Sequence, residues 1–187
     1  MMAKFGTARE VCFLFGLYCA DLPERLGPHE IAWCRMLGID CVAAKTALEL
    51  AEEISGGVPR SGDPFDPDWN ARHHGLWMAI LVAQGISPDD ARLLAVAHEL
   101  DGPRSGAPTY GSTDSRIDMR NNEMGIKIGL AAREKVENSP DHPGLGEIRG
   151  GEGQMRKAAE AAIEMVMAAV DAGGCSRVGC FDMSRRG

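Results

Sequence analysis

Three short stretches near the middle of the chain carry most of the side chains able to do acid–base or metal chemistry. The first reads Trp69-Asn70-Ala71-Arg72-His73-His74-Gly75-Leu76-Trp77. On a helix, Asn70, His73, His74 and Trp77 fall at i, i+3, i+4 and i+7 and share one face. A core-facing stripe is normally apolar, yet this one holds an amide and two imidazoles beside an indole. Gly75 weakens the helix and opens room for another backbone or a ligand. The second stretch, Ala97-His98-Glu99-Leu100-Asp101, gathers titratable groups where an otherwise apolar helix stops. The third sets Asp118, Asn121, Asn122 and Gly125 at the same helical spacing. Short connections make consecutive helices neighbours. If the stripes converge, they form one pocket of imidazoles, carboxylates and amides.

Three chemistries fit such a pocket. In a divalent-metal hydrolase, one imidazole of the His73/His74 pair (His74 in the ligand set taken here), His98 and Asp118 would bind the ion, with Glu99 as general base. Two imidazoles and one carboxylate form an open site with room for a water, and they suit Zn²⁺ better than Mg²⁺. Without a metal, His98 and the His73/His74 pair would trade a proton while Arg72 stabilises an anion. In either case Asn70, Trp77, Asn121 and Asn122 are the candidate substrate contacts. The third option is no chemistry, only a polar network that sets helix register in an interaction module. Each residue has a structural reading of that kind. His98 suits a helix C-terminus and Asp118 a first turn; Trp77 suits a core; Arg72 would pair with Glu99 or Asp118. No HExxH spacing is present, and no Ser or Cys sits in a nucleophile elbow.

The three motifs in order resemble a bacterial helical family of no assigned function. That family combines an Arg-His with a Trp shortly after, an Ala-His-Glu, and Asp-x-x-Asn-Asn-x-x-Gly. The resemblance spans about residues 66–130 and leaves out the N-terminal third and the last helix. Its usual His-to-Trp spacing of three selects His74, whereas the Arg-His pair selects His73; both stay open. Family members often sit at the C-terminal ends of large secreted or toxin-like bacterial proteins. That setting, joined to the pocket chemistry above, gives the expectation of a hydrolase-like effector or toxin domain acting on a phosphodiester, lipid or cell-wall bond, with a cognate immunity or carrier protein as partner.

The elements that must position these groups read as helices. Of 187 residues, 44% are hydrophobic and 25% charged, ordinary for a globular chain. Ala, Leu, Met and Ile supply the apolar content, and clusters of β-branched residues are missing. Periodicity and capping signals predict helices over about 8–20, 28–38, 41–54, 69–84, 88–100, 114–136 and 154–172. Pro/Gly-rich loops at 55–68, 101–114 and 138–153 separate the later ones. The expectation is an all-α, single-domain bundle over 1–187 with about six main helices.

The formal charge of −7 argues against non-specific nucleic-acid binding. No apolar run approaches the roughly 20 residues of a membrane span. Val11–Ala20 has the length of a signal-peptide core, but Arg9 and Glu10 precede it and no small-x-small site follows. Thr7-Ala8-Arg9-Glu10 reads instead as a capping box. A chain cytoplasmic as synthesised is expected, which leaves a specialised export route open. The six cysteines show no CxxC spacing and are read as small apolar residues; Cys175 and Cys180 would close a small loop under oxidation. His29 and His142, each beside a Pro, are given no role.

Overall fold

The computed structural model describes residues 26–39, 41–56, 67–101, 111–139 and 152–171. Among them every regular element is a helix: α1 Pro28–Leu37, α2 Cys41–Ile54, α3 Pro67–Ala83, α4 Pro88–Asp101, α5 Thr113–Glu137 and α6 Glu152–Ala169. The all-α expectation holds. The helix expected at 8–20, the Thr7–Glu10 capping box, Asp40, His142 and Cys12, Cys19, Cys175 and Cys180 lie outside the described residues. Cys34 is fully buried and Cys41 half-buried. No described helix is long and apolar enough to cross a membrane.

Local chemistry explains the boundaries. α3 starts two residues earlier than its apolar pattern suggests, because Pro67 fits the first helical position. It ends at Gly85, whose φ of +105° costs a glycine little. There the Gly85 and Ile86 amides turn back to the carbonyls of Val82 and Leu81, closing the helix end. Ser87 then caps α4 by accepting the Asp90 amide at 3.1 Å, and Pro88 takes the first helical position. Ser112 caps α5 by accepting the Ser115 amide.

α3 is the central helix. Leu76 to Ala83 are all buried, the pattern of a helix covered on every side. α5, α6, α2 and α4 all pack on it, and α1 packs on α4. α2 contributes Ala44, Ala47, Leu48 and Ala51; α6 contributes Ala158, Ala162 and Val166. These small side chains let helix axes come close.

The tightest approach joins α3 to α5. A Cβ on Gly125 would stand 2.3 Å from the Gly75 carbonyl oxygen, and one on Gly129 would stand 2.6 Å from that of Ala79. Gly125 thus sits over Gly75 and Met78, and Gly129 over Ala79 and Val82. Both helices advance together by one turn, so they run parallel. The expectation that Gly75 makes the room is corrected by this geometry. A Cβ there would meet only a Val166 methyl at 3.5 Å, an ordinary contact. The backbone approach depends on the α5 glycines, while Gly75 supplies only its carbonyl.

Ala substitutions should separate these roles. Gly125→Ala and Gly129→Ala should each destabilise by about 1–3 kcal/mol through overpacking. Gly75→Ala should be neutral or stabilising, by up to about 1 kcal/mol from helix propensity. Urea unfolding checks this, and a Gly75 variant as damaged as the Gly125 variant would contradict the packing described.

Candidate functional site

Towards the N-terminal ends of α3 and α5 the interface changes from small and apolar to polar. Asn70, His73 and His74 on α3, Glu99 on α4, and Asp118, Asn121 and Asn122 on α5 are all buried, and His98 is half-buried. The parallel run of α3 and α5 sets Asn70 and His74 against Asp118 and Asn122. The three polar stripes do converge.

His74 is at the centre. Its Nδ1 lies 3.2 Å from the Asn122 Oδ1, and its Nε2 lies 3.8 Å from the Asp118 Oδ1. Burial, with the positive charge of His98 adding to it, pushes its pKa down to about 3, although the Asn122 hydrogen bond works the other way. His74 is therefore neutral at physiological pH. An amide oxygen only accepts, so the single proton sits on Nδ1 and the Nε2 lone pair faces Asp118. The Asp118 Oδ1 is itself buried without a hydrogen-bond partner among the described residues. Burial raises the Asp118 carboxyl to about 6, against a hydrogen bond from Asn70 and the charge of His98, which lower it. Two electron-rich atoms thus face each other in a buried site, where a proton or cation between them would relieve an electrostatic cost.

His98 completes the group. Its ring lies 5.5 Å from that of His74 and 5.0 Å from that of Trp77, centroid to centroid. Its Nδ1 is 3.0 Å from the Glu30 Oε1. Burial disfavours the charged imidazole, but the hydrogen bond and charge of Glu30, with the charges of Glu99 and Asp118, outweigh this and raise its pKa. His74, His98 and Glu99 each offer a ligand atom within 4.8 Å of the others. The compact triangle therefore contains Glu99, which was expected as a base, while Asp118, expected as a ligand, stands beside it. Adjacent helical residues point about 100° apart, yet His98 and Glu99 meet at one site, as expected. Both reach the site because they close the last turn of α4, where α3 and α5 meet it.

Other expectations fare differently. His73 stacks on Trp69 with centroids 4.8 Å apart and planes 8° from parallel, and its ring also lies edge-on to His74 at 5.5 Å. Burial, then the charges of His74 and His98, hold its pKa well below the ordinary value. Of the two imidazoles, His74 is the one grouped with His98 and Glu99. Trp77, expected to touch substrate, is fully buried, and its indole N–H donates to the Ala44 carbonyl at 3.3 Å. It is a wall behind His98. Arg72 forms no ion pair with Glu99 or Asp118, and its buried Nε has no hydrogen-bond partner among the described residues. Two positions from Asn70 and from His74, it lies on the far side of the helix. Asn121 is buried, and neither of its amide atoms has a hydrogen-bond partner among the described residues, an uncommon state that suits a bound water or ligand.

Glu30 was missed. It looks like an ordinary acid in a helix first turn, and it does accept the Gly27 amide at 2.5 Å. Its second oxygen reaches His98 across 68 residues of sequence, which no local pattern reveals. His29, given no role, meets the Asp101 Oδ1 through its Nδ1 at 2.6 Å.

No protein-family model, curated protein or solved structure matches the chain. The resemblance noted above therefore rests on its three motifs.

The raised Asp118 carboxyl has a testable sign. Its folded pKa of about 6 exceeds the unfolded value near 3.9. The unfolded chain thus loses this proton first, and the buried carboxylate costs stability above about pH 6. The cost fades as pH falls from about 6 to about 4 and is absent below that. An Asn at 118 still accepts from Asn70, and its NH₂ is placed to donate to the His74 Nε2. In metal-free protein, Asp118→Asn should therefore stabilise at pH 8, on the order of 2 kcal/mol, and the gain should vanish near pH 4. Denaturant unfolding across that range tests it; destabilisation at pH 8 would refute it.

Proposed function

We propose that this chain is a metal-dependent hydrolase domain of the bacterial effector type. The observation that carries the reading is the pinning of two imidazoles. The Nδ1 atoms of His74 and His98 each meet an oxygen acceptor, Asn122 and Glu30 respectively, and the two residues converge with Glu99 within 4.8 Å. Metal-binding histidines usually have this outer-shell oxygen partner, which sets the tautomer and the ring orientation. The charge balance agrees. Glu30, Glu99 and Asp118 outnumber the one imidazole with a raised pKa, and Arg72 lies off this face.

His74, His98 and Glu99 would hold the ion, and two nitrogens with a carboxylate favour Zn²⁺ or another first-row ion over Mg²⁺. Such an ion supplies Lewis acidity and a polarised water nucleophile. The chain's own part is to orient the two imidazoles and to exclude bulk water with Trp77 and the apolar α3 core. Asp118, its Oδ1 unpartnered beside His74, would accept the proton of the attacking water, while Asn121 would orient substrate. A phosphodiester, lipid or cell-wall bond fits the effector reading, with an immunity or carrier protein as partner. The competing reading is an interaction module in which the same groups only set helix register. The depth of burial of Asn122 and Glu99 favours it.

Elemental analysis of protein purified without an affinity tag should find one first-row ion per chain, lost in His74→Ala and His98→Ala. Added Zn²⁺ at 100 times its Kd should stabilise the stripped protein by about 2.7 kcal/mol. Expression in a bacterium, in the cytoplasm and in the periplasm, should impair growth in one compartment, and His98→Ala should relieve it. No ion, no thermal response to Zn²⁺, Mn²⁺ or Mg²⁺, and harmless growth throughout would leave the interaction-module reading.

A further inference from the structure

Glu30 sits on α1, outside the three helices that carry the polar stripes, and is 2% exposed. A carboxylate that deeply buried needs donors on both oxygens. Its Oε2 accepts the Gly27 amide at 2.5 Å, and its Oε1 lies 3.0 Å from the His98 Nδ1. An ionised carboxylate only accepts, so this contact requires the proton on Nδ1. For neutral His98 that leaves the lone pair on Nε2.

A second contact fixes Glu30 itself. Asp101, the last residue of α4, accepts the His29 amide at 3.0 Å and the Glu30 amide at 3.1 Å. The end of α4 thus caps the start of α1, supplying acceptors for amides that a helix leaves unpaired. The approach is close: a Cβ on Gly27 would fall 2.1 Å from the Asp101 Oδ2. Asp101 holds the first turn of α1, and that turn returns Glu30 to His98, three residues before Asp101. Docking alone would need only the Asp101 contacts; the Oε1 contact adds a constraint on one imidazole.

We propose that Glu30 is a positioning residue of the metal centre: its carboxylate sets the tautomer and ring orientation of His98, so that Nε2 is the ligating nitrogen. The metal part of this proposal rests on the reading given under Proposed function; the tautomer part does not.

Glu30→Gln keeps the volume but has only one acceptor for two donors. Where its NH₂ faces His98, the ring must turn its lone pair to Nδ1 and move the proton to Nε2. Imidazole ¹⁵N shifts of the metal-free protein, at a pH where His98 is neutral, should show Nδ1–H in the wild type and a shift toward Nε2–H in the variant. Zn²⁺ affinity should drop about 10–100-fold, as for loss of an outer-shell partner, while the melting transition stays cooperative. An unchanged tautomer with unchanged affinity would overturn the proposal. So would Nε2–H in the wild type, a reading that does not depend on the variant folding. If the wild type takes up no Zn²⁺, the metal reading falls, and the tautomer shift still decides the role of Glu30.

Discussion

The contact between the backbones of α3 and α5 governs the rest of this structure. With no side chain at Gly125 or Gly129, α5 lies directly on the carbonyls of Gly75 and Ala79. That contact fixes the separation, the parallel sense and the rotation of both helices at once. One turn before Gly125 on the same face of α5 stands Asn121, and one turn before Gly75 on α3 stands Ala71. The chain has therefore no freedom in where Asp118 and Asn122 meet His74. Widening the crossing would let water reach groups whose properties depend on its absence.

Those groups show what dryness does. Burial, with the charge of His98 adding to it, drives the imidazole of His74 down, and burial drives the carboxyl of Asp118 up, so each is pushed toward its neutral form. His98 goes the other way only because Glu30 is hydrogen-bonded to it, with Glu99 and Asp118 nearby. Hydrogen bonds divide the labour further. Asn122 takes the proton side of the His74 ring and Asn70 satisfies part of Asp118, while the facing Nε2 and Oδ1 atoms have no donor between them.

The helices were legible because their causes are local. Pro67, Pro88, Ser87, Ser112 and Gly85 act through the first or last turn of their own element, and the 3.6-residue period of apolar side chains is written along the chain. The three stripes were visible for the same reason. Other features had no local signature. Gly75 looked like the point of close approach because it interrupts a histidine-bearing helix, yet the room is made by Gly125 and Gly129 on the partner. Glu30 matched an ordinary first-turn acid, and one of its oxygens does that job.

The sequence by itself determined the all-helical class, the boundaries of the described helices to within about three residues, and the set of polar side chains that share each face, since these follow from backbone periodicity and capping. The tertiary structure alone decided which of them meet. The rotation of α3 against α5 set His74 against Asn122 and Asp118, whereas the stacking of His73 on Trp69 and the far-side place of Arg72 follow from spacing within α3. The approach of α4 brought Glu99 into the compact group beside His98. The docking of α1 on Asp101 delivered Glu30 from 68 residues away. Sequence spacing constrains directions within one helix, whereas the distance between two side chains on different helices depends on how closely and at what rotation their backbones pack.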